Sequence, residues 1–151
     1  MKICFAASSG GHLEEIAQLK EFADQYDSFL VTEKSDFQNS RMCRKKYTVR
    51  KSDRKEKWFL FHYLALFIRS FFIIRKEKPD LVITTGALVT YPFCVWAKLR
   101  KSKIIYIESY ARVTTPSVTG KYMKRIADLF IVQSEELLKY YPNAVYGGCI
   151  F

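Results

Sequence analysis

Residues 5–12 read Phe-Ala-Ala-Ser-Ser-Gly-Gly-His, and the rest of the chain is organised around this stretch. The segment from Ile3 to Ala7 is short, apolar and followed by turn residues, a pattern typical of a buried strand. From Leu13 onward, apolar side chains recur with the period of a helix. A buried strand that turns sharply into a helix predicts the first β-α unit of a mainly parallel sheet.

The Ser-Ser-Gly-Gly turn has the chemistry of an anion site. Gly10 and Gly11 let the backbone approach a ligand closely, and N–H groups of a starting helix favour a phosphate. His12 falls in the first helical turn, where the helix dipole favours a neutral imidazole that can accept a proton from a hydroxyl nucleophile. The alternative is a tight turn with a capping serine. The motif is neither G-x-G-x-x-G nor a Walker loop.

Length and composition indicate one folded domain over residues 1–151. Of the 151 residues, 49% are apolar and 16% aromatic, which is enough for a core and excludes a disordered chain. The four cysteines form no C-x-x-C pattern, so neither a zinc site nor a disulfide framework is expected, and a reducing cytoplasm is favoured. We expect no metal and no cofactor. The N-terminus enters a strand directly, without the pattern of a signal peptide.

The positive charge is concentrated in one segment. The net charge is +10, and residues 41–57 hold nine Arg or Lys against Asp53 and Glu56. Such a block predicts an anionic partner, which can be nucleic acid, acidic lipid headgroups or a phosphorylated substrate. The alternative is a solvated loop.

Residues 58–74, WFLFHYLALFIRSFFII, predict a strongly apolar helix. At about 26 Å it is short for the ~30 Å hydrocarbon core, and Arg69 within it would cost about 2.5–3.5 kcal/mol at the membrane centre. We therefore predict an amphipathic helix that lies on an anionic membrane surface, with a wholly buried core helix as the alternative. The residues expected to contact the membrane are Arg50, Lys51, Arg54, Trp58, Phe59, Phe67 and Phe71.

Strands and helices alternate along the whole chain. Strands are predicted at 28–32, 47–49, 81–84, 104–107, 129–132 and 144–146, and helices at 11–25, 58–74, 88–100, 121–126 and 135–141. Residues 33–44 are predicted to form a loop or a short irregular helix. This order predicts the α/β class, with a Rossmann-like, mostly parallel sheet covered by helices on both faces. The loops after Ala7, Thr84 and Ile107 then open on one sheet edge and converge on one cleft.

The loop after Ile107 contains two candidate binding residues. The Glu108 carboxylate and the Arg112 guanidinium are suited to a sugar hydroxyl and a phosphate, respectively. The alternative is an ion pair between these two side chains.

Several motifs together resemble one known family along nearly the whole chain. They are Ser8-Ser9-Gly10-Gly11-His12, Thr84-Thr85-Gly86-Ala87 with Tyr91-Pro92, Ile107-Glu108-Ser109-x-x-Arg112 and Gln133-Ser134-Glu135. The chain resembles the acceptor-side subunit of two-component GT-B glycosyltransferases. Members of that family include the membrane-recruiting subunit of the eukaryotic dolichol-linked UDP-N-acetylglucosamine transferase and bacterial relatives in capsule and exopolysaccharide assembly.

The resemblance implies one half of a split enzyme, equivalent to the N-terminal half of a GT-B glycosyltransferase. This chain would bind the membrane and a lipid-linked diphosphate acceptor, while a separate subunit would bind the UDP-sugar and complete a heterodimer. The eukaryotic members carry an N-terminal transmembrane helix that this sequence lacks, so we expect peripheral attachment at the cytoplasmic face of the membrane, through residues 41–76.

The resemblance also assigns candidate site residues. His12 is a candidate catalytic base and Glu108 a weaker catalytic candidate. By this resemblance Ser9, Gly10 and Gly11, together with His12, would bind the acceptor diphosphate. Thr85, Gly86 and Arg112 are further candidates for binding the diphosphate, because their loops open on the same sheet edge. The apolar tail Cys149-Ile150-Phe151 is a candidate docking segment for the partner, or simply a terminal strand.

Three other functions remain open at this point. The first is a stand-alone enzyme that binds a phosphate or a nucleotide, although no ribose-binding acid follows at the usual spacing. The second is a non-catalytic membrane adaptor that recruits and activates a glycosyltransferase. The third is nucleic-acid binding, which only the basic segment supports and which we do not expect.

Overall fold

A computed structural model describes residues 1–34, 42–51 and 56–150. Within these ranges seven strands form one sheet, with β1 at Lys2–Ala7, β2 at Asp27–Glu33, β3 at Lys45–Val49, β4 at Leu81–Thr84, β5 at Lys103–Ile107, β6 at Leu129–Val132 and β7 at Val145–Tyr146. Every neighbouring pair is parallel, and the order is β3-β2-β1-β4-β5-β6-β7. The predicted parallel α/β sheet is therefore confirmed.

The strand order reverses next to β1. Phe5 is aligned with Leu30 of β2 on one side and with Ile83 of β4 on the other. From β1 the chain adds β2 and β3 on one side and then returns to add β4 to β7 on the other side. The loops that follow β1 and β4 therefore diverge at the carboxyl ends of these two strands. Ligands of open parallel sheets bind in the crevice at such a switch point.

Helices cover both faces of this sheet, as predicted. The bounds are α1 at Gly11–Ala17, α2 at Lys20–Ala23, α3 at Phe59–Glu77, α4 at Tyr91–Leu99 and α5 at Val118–Met123, with 3-10 turns at Leu88–Thr90 and Glu135–Lys139. Side chains of α1 and α2 join one core cluster with Ile3 and Phe5, whereas α3, α4 and α5 join a second cluster with Cys4 and Ala6. Neighbouring residues of β1 thus face opposite layers, as a strand requires.

Three helix predictions are corrected. The helix expected at 11–25 is divided, because Leu19 bonds back to the Ile16 carbonyl in a tighter i−3 turn at 3.1 Å. The helix expected at 121–126 begins at Val118, since the hydroxyl of Ser117 accepts the Gly120 N–H and caps it. The last helix is a 3-10 turn in which the Ser134 side chain makes no capping bond.

The two sides of α3 have different environments. Trp96 of α4 donates its indole N–H to the Phe67 carbonyl at 2.9 Å and packs edge-on against the rings of Phe67 and Phe71. The opposite side of α3 and the turn before it carry large apolar side chains that are 53–75% exposed, namely Trp58, Leu60, Phe61, Leu64, Ile68 and Phe72. The helix is therefore neither a wholly buried core helix nor one apolar all round.

The helices of the described ranges include none that is both long and apolar enough to cross a membrane. Arg69 lies in the middle of α3 and is exposed.

A buried ion-pair cluster holds the amino edge of the sheet to the end of α3. Glu77 accepts bonds from Lys2 of β1 and from Lys45 and Tyr47 of β3, and its side chain is 2% exposed. Burial by itself would raise the pKa of this carboxyl, but the bonds from Lys2, Lys45 and Tyr47 lower it from 4.5 to about 2.

We expect Glu77→Gln to destabilise the protein at neutral pH and not at very low pH. Because the folded pKa is depressed, the stabilisation is complete above about pH 4.5 and is lost as the pH falls towards 2. This shift corresponds to roughly 3 kcal/mol at pH 7. Urea unfolding of both proteins between about pH 2 and 7 measures it, and a constant difference across that range would contradict the assignment.

Candidate functional site

The turn after β1 is open to solvent, and its glycines face that open side. Gly10 has φ 84° and ψ −144°, a conformation that side chains rarely adopt, and a Cβ placed on Gly10 or Gly11 would meet no atom within 4 Å. Among the described residues, the N–H groups of Gly10, Gly11 and His12 have no acceptor. The backbone therefore presents free donors beside an empty approach.

His12 is held in place by the loop after β4. The Thr85 hydroxyl donates to the His12 carbonyl at 2.8 Å, and the space where Gly86 lacks a side chain lies next to the imidazole Cε1 and the Tyr106 hydroxyl. The His12 side chain is 29% exposed while its Nδ1 is buried. Nε2 is therefore on the accessible side of the ring, where it can meet a ligand.

Thr85 and Gly86, expected to bind a diphosphate directly, have a supporting role instead. Both are buried, the Thr85 hydroxyl is committed to His12, and the Gly86 N–H donates to the Thr84 hydroxyl at 3.1 Å. The diphosphate contact predicted for these two residues is corrected for that reason. Gly86 has φ 105°, so it also supplies a backbone shape that a larger residue would strain.

Ser9 lies at the rim of the turn, and its hydroxyl already has a partner. It donates to Glu33 at the end of β2 across 3.4 Å. The Ser9 hydroxyl proton is therefore committed to Glu33, and the Glu33 carboxylate would repel a diphosphate on the Ser9 side of the turn.

Glu108 is the centre of a buried hydrogen-bond network. In the described part of the chain its carboxylate receives five bonds, from Tyr106 OH, from the Ser109 N–H, from the N–H and hydroxyl of Ser117, and from Tyr141 OH at 2.9 Å. Burial and the neighbouring Glu108 carboxylate raise the pKa of the Tyr106 and Tyr141 hydroxyls, so both remain donors.

The catalytic role considered for Glu108 is corrected by this network. Its side chain is fully buried, and both oxygens accept bonds from the protein. Arg112 is exposed, and no ion pair between it and Glu108 is found within the ranges that the structure covers, so the alternative of an ion pair also fails. Glu108 shapes the loop after β5, while Arg112 remains available at the surface.

Glu15 was missed in the sequence analysis. It comes from the first helix, yet it reaches the loop after β5, where its Oε1 accepts the Tyr110 N–H at 2.6 Å and the Ser109 hydroxyl at 3.2 Å. One feature of the sequence could have indicated this role: Glu15 follows His12 by three residues, and this spacing places the two side chains on one face of a helix.

The residues predicted to contact a membrane divide into two groups. Trp58, Arg50 and Lys51 are exposed, whereas Phe59 stacks on Tyr63 and is half-buried. Phe67 and Phe71 are also half-buried, because both rings pack on Trp96 of α4, so only part of each ring is available for the predicted membrane contact. Arg54 lies outside the described residues, as does most of the loop or short irregular helix predicted at 33–44.

The C-terminal tail is bonded to Gln133, the residue that follows β6. The Ile150 N–H donates to the Gln133 side-chain oxygen at 2.8 Å, and the Gln133 amide donates in turn to the Glu108 carbonyl at 3.0 Å. Cys149 is exposed, and Ile150 packs against the same core cluster as Phe5. Phe151 lies outside the described residues.

Within the part of the chain that the structure covers, no group of three or more His, Cys, Asp or Glu side chains is arranged to hold a metal ion.

Solved structures of low sequence identity share this fold. The UDP-N-acetylglucosamine 2-epimerase of Rickettsia bellii superposes on 99% of this chain and 45% of its own, with a TM-score of 0.76 and 17% identity. MurG of Acinetobacter baumannii superposes on 87% of this chain and 40% of its own, with a TM-score of 0.66 and 15% identity. The chain therefore has the Rossmann-like fold of one half of a GT-B protein.

The sequence comparisons show the family. The chain belongs to the family described as "Oligosaccharide biosynthesis protein Alg14 like", whose model matches residues 3–150. A human relative, UDP-N-acetylglucosamine transferase subunit ALG14, is 32% identical over 180 residues, which cover 99% of this chain and 83% of the relative. The resemblance proposed from the motifs is confirmed.

Proposed function

We propose that this chain is the acceptor-binding subunit of a two-component glycosyltransferase and that a separate UDP-sugar-binding subunit completes the enzyme as a heterodimer. The observation that carries the proposal is the open turn of Gly10, Gly11 and His12 at the carboxyl edge of a sheet that is half of a GT-B fold. The relatives named as transferase subunits support the same division of labour.

The site geometry supports a simple division of roles. The free N–H groups of Gly10, Gly11 and His12 would bind the acceptor diphosphate, and the exposed Arg112 would supply a guanidinium to it. His12 Nε2 would take the proton of the acceptor hydroxyl while that oxygen attacks C1 of the UDP-sugar. The C1–O bond to UDP breaks as the new bond forms on the opposite face, so C1 is inverted.

Reconstitution tests this proposal directly. Purified chain, a candidate partner subunit and the two together are incubated with radiolabelled UDP-N-acetylglucosamine and a detergent-solubilised lipid diphosphate-sugar. We expect transfer only from the mixture, because the sheet and its edge supply one of the two GT-B halves. Transfer by this chain alone would overturn the proposal and favour the stand-alone enzyme.

The acceptor class is a finer part of the proposal. We propose a lipid-linked repeat unit of capsular polysaccharide or exopolysaccharide as the acceptor. A panel of polyprenyl diphosphate-sugars in the same assay identifies it, and preferential use of a peptidoglycan precursor or of a dolichol-linked acceptor would contradict this assignment.

We also propose that α3 attaches the chain peripherally to the cytoplasmic face of an anionic membrane. The exposed side of α3 carries Phe61, Ile68 and Phe72, and the latter two line an open groove of about 430 Å³ together with Arg69 and Lys76. An apolar stripe between cations is the pattern of a helix that lies within the headgroup layer.

Flotation with vesicles of phosphatidylglycerol and phosphatidylcholine measures this attachment. We expect Phe61→Glu combined with Ile68→Glu to weaken binding by about 100-fold or more, because each change removes roughly 1.5–3 kcal/mol of apolar burial. Val145→Glu is the matched control, since Val145 is as exposed as Ile68 but lies on β7 at the far edge of the sheet. Equal binding of the double variant and the control would contradict the assignment.

The partner would dock at the C-terminal tail, Cys149-Ile150-Phe151. Ile150 is half-buried and packs against the same core cluster as Ile105 of β5 and Ile131 of β6, so the tail adds to an apolar layer of the sheet. Pull-down of the partner with a chain that ends at Gly148 tests this role.

A non-catalytic adaptor is the second candidate function. The exposed apolar side of α3 favours it, because membrane recruitment needs that surface and no catalytic group. The His12 variant described in the Discussion separates the two functions.

A further inference from the structure

His12 and Glu15 form a buried pair of polar atoms that lacks a hydrogen bond. His12 Nδ1 and Glu15 Oε2 are 3.6 Å apart, the Glu15 side chain is only 4% exposed, and both atoms are without a hydrogen-bond partner among the described residues. Buried polar atoms in folded proteins are nearly always paired, so an unpaired couple at a candidate site calls for a functional explanation.

The other oxygen of Glu15 shows how this carboxylate is held. Oε1 accepts the Tyr110 N–H and the Ser109 hydroxyl, both from the loop after β5, whereas Glu15 itself belongs to α1. The carboxylate is therefore attached to a loop of the cleft, and Oε2 is the oxygen that remains directed at the imidazole.

We propose that Glu15 is a positioning residue that sets the tautomer of His12. A carboxylate at this place accepts only a ring nitrogen that carries a proton, so it favours Nδ1–H and leaves the lone pair on Nε2. Shortening the contact by about 0.7 Å brings it to the length of an ordinary hydrogen bond.

This inference rests on the proposed function for its catalytic meaning. In the transfer step, the acceptor oxygen bonds to C1 while the C1–O bond to UDP breaks, and UDP leaves with that electron pair. The acceptor proton moves to His12 Nε2, and the resulting imidazolium is stabilised by Glu15 through Nδ1–H. No further reactant is needed.

Glu15→Gln is the decisive variant because it keeps the shape of the side chain. Its amide oxygen can still accept from Tyr110 and Ser109, while its NH₂ group donates to Nδ1 and therefore forces the proton onto Nε2. Glu14→Gln is the matched control, since Glu14 is adjacent on α1 and exposed.

The tautomer is read from two-bond ¹H–¹⁵N correlation spectra of the isolated chain at about pH 8.5, where an ordinary histidine is neutral. The chain has two histidines, and His62→Gln assigns the remaining signal to His12. We expect Nδ1–H in the parent and in Glu14→Gln, and Nε2–H in Glu15→Gln. An Nε2–H tautomer in the parent, or an unchanged tautomer in Glu15→Gln, would overturn the proposal.

The reconstituted pair supplies the second readout. We expect Glu15→Gln to lower kcat by about 100-fold or more with the acceptor KM within about threefold, because binding through the Gly10-Gly11 turn is left intact. An unchanged kcat would overturn the positioning role. If the parent pair transfers no sugar, the proposed function fails, and the tautomer spectra still decide whether Glu15 orients His12.

Discussion

Replacement of His12 by Gln is expected to lower the transfer rate of the reconstituted pair by about 10²–10⁴-fold without unfolding the chain. His12 is the one ionisable side chain in the open turn whose free ring nitrogen is on the accessible side, beside donors suited to a diphosphate. Its carbonyl, and not its ring, makes the bond to Thr85, so the turn survives the change. Initial rates with saturating acceptor, together with thermal unfolding, measure both effects.

The other histidine provides the control for this variant. His62 is almost equally exposed, at 28% against 29% for His12, but it lies on α3 and bonds to Arg50 and Glu56. His62→Gln is expected to keep the full transfer rate in detergent. An unchanged rate with His12→Gln would remove the catalytic role and favour the non-catalytic adaptor.

Gly120→Ala is expected to be the most destabilising of the glycine substitutions considered, by roughly 3 kcal/mol or more. A Cβ at Gly120 would overlap Glu108 Oε2 and Tyr141 OH and would lie 3.0 Å from Ser117 Oγ. The overlap displaces a buried carboxylate from its donors, and buried charges without partners are strongly unfavourable. The expected fall in Tm is roughly 6–12 °C.

Gly11→Ala is the matched control for Gly120→Ala, because its Cβ would meet no atom within 4 Å. We expect its free energy of unfolding to stay within about 0.5 kcal/mol of the parent. The same methyl group lies where the acceptor diphosphate would approach, so the acceptor KM should rise. Equal stability of the two variants would contradict the packing around Glu108.

The consequences of the Glu108 network extend to the candidate base. Glu108 accepts the Ser109 N–H, and the neighbouring Tyr110 N–H in turn holds Glu15 beside His12. Glu108, which was expected to take part in the chemistry directly, thus acts only through the loop after β5 and through Glu15. Its position after a strand end predicted the right loop, but not which way the side chain points.

The confirmed parts of the prediction have local causes. An apolar run of strand length, a glycine turn and a helical period lie within a dozen residues of one another around Gly10 and Gly11, and each repeats after β4 in a weaker form. The class of fold and the turn after β1 followed from these patterns, and the binding site expected at that turn stays a prediction. The family resemblance followed from the same motifs.

The sequence by itself determined the parallel sheet and the glycine turn after β1, because buried strands and glycine turns depend on residues that are neighbours in the chain. Only the tertiary structure decided that Glu108 is buried and that Glu15, held by the Tyr110 N–H, faces His12. It also decided which side of α3 packs against Trp96, through Phe67 and Phe71, and which side stays exposed, with Phe61 and Ile68. These outcomes depend on partners as far apart as Glu15 and Tyr110, and on which side of a nearly all-apolar helix meets α4. Local periodicity carries no information about such long-range pairings.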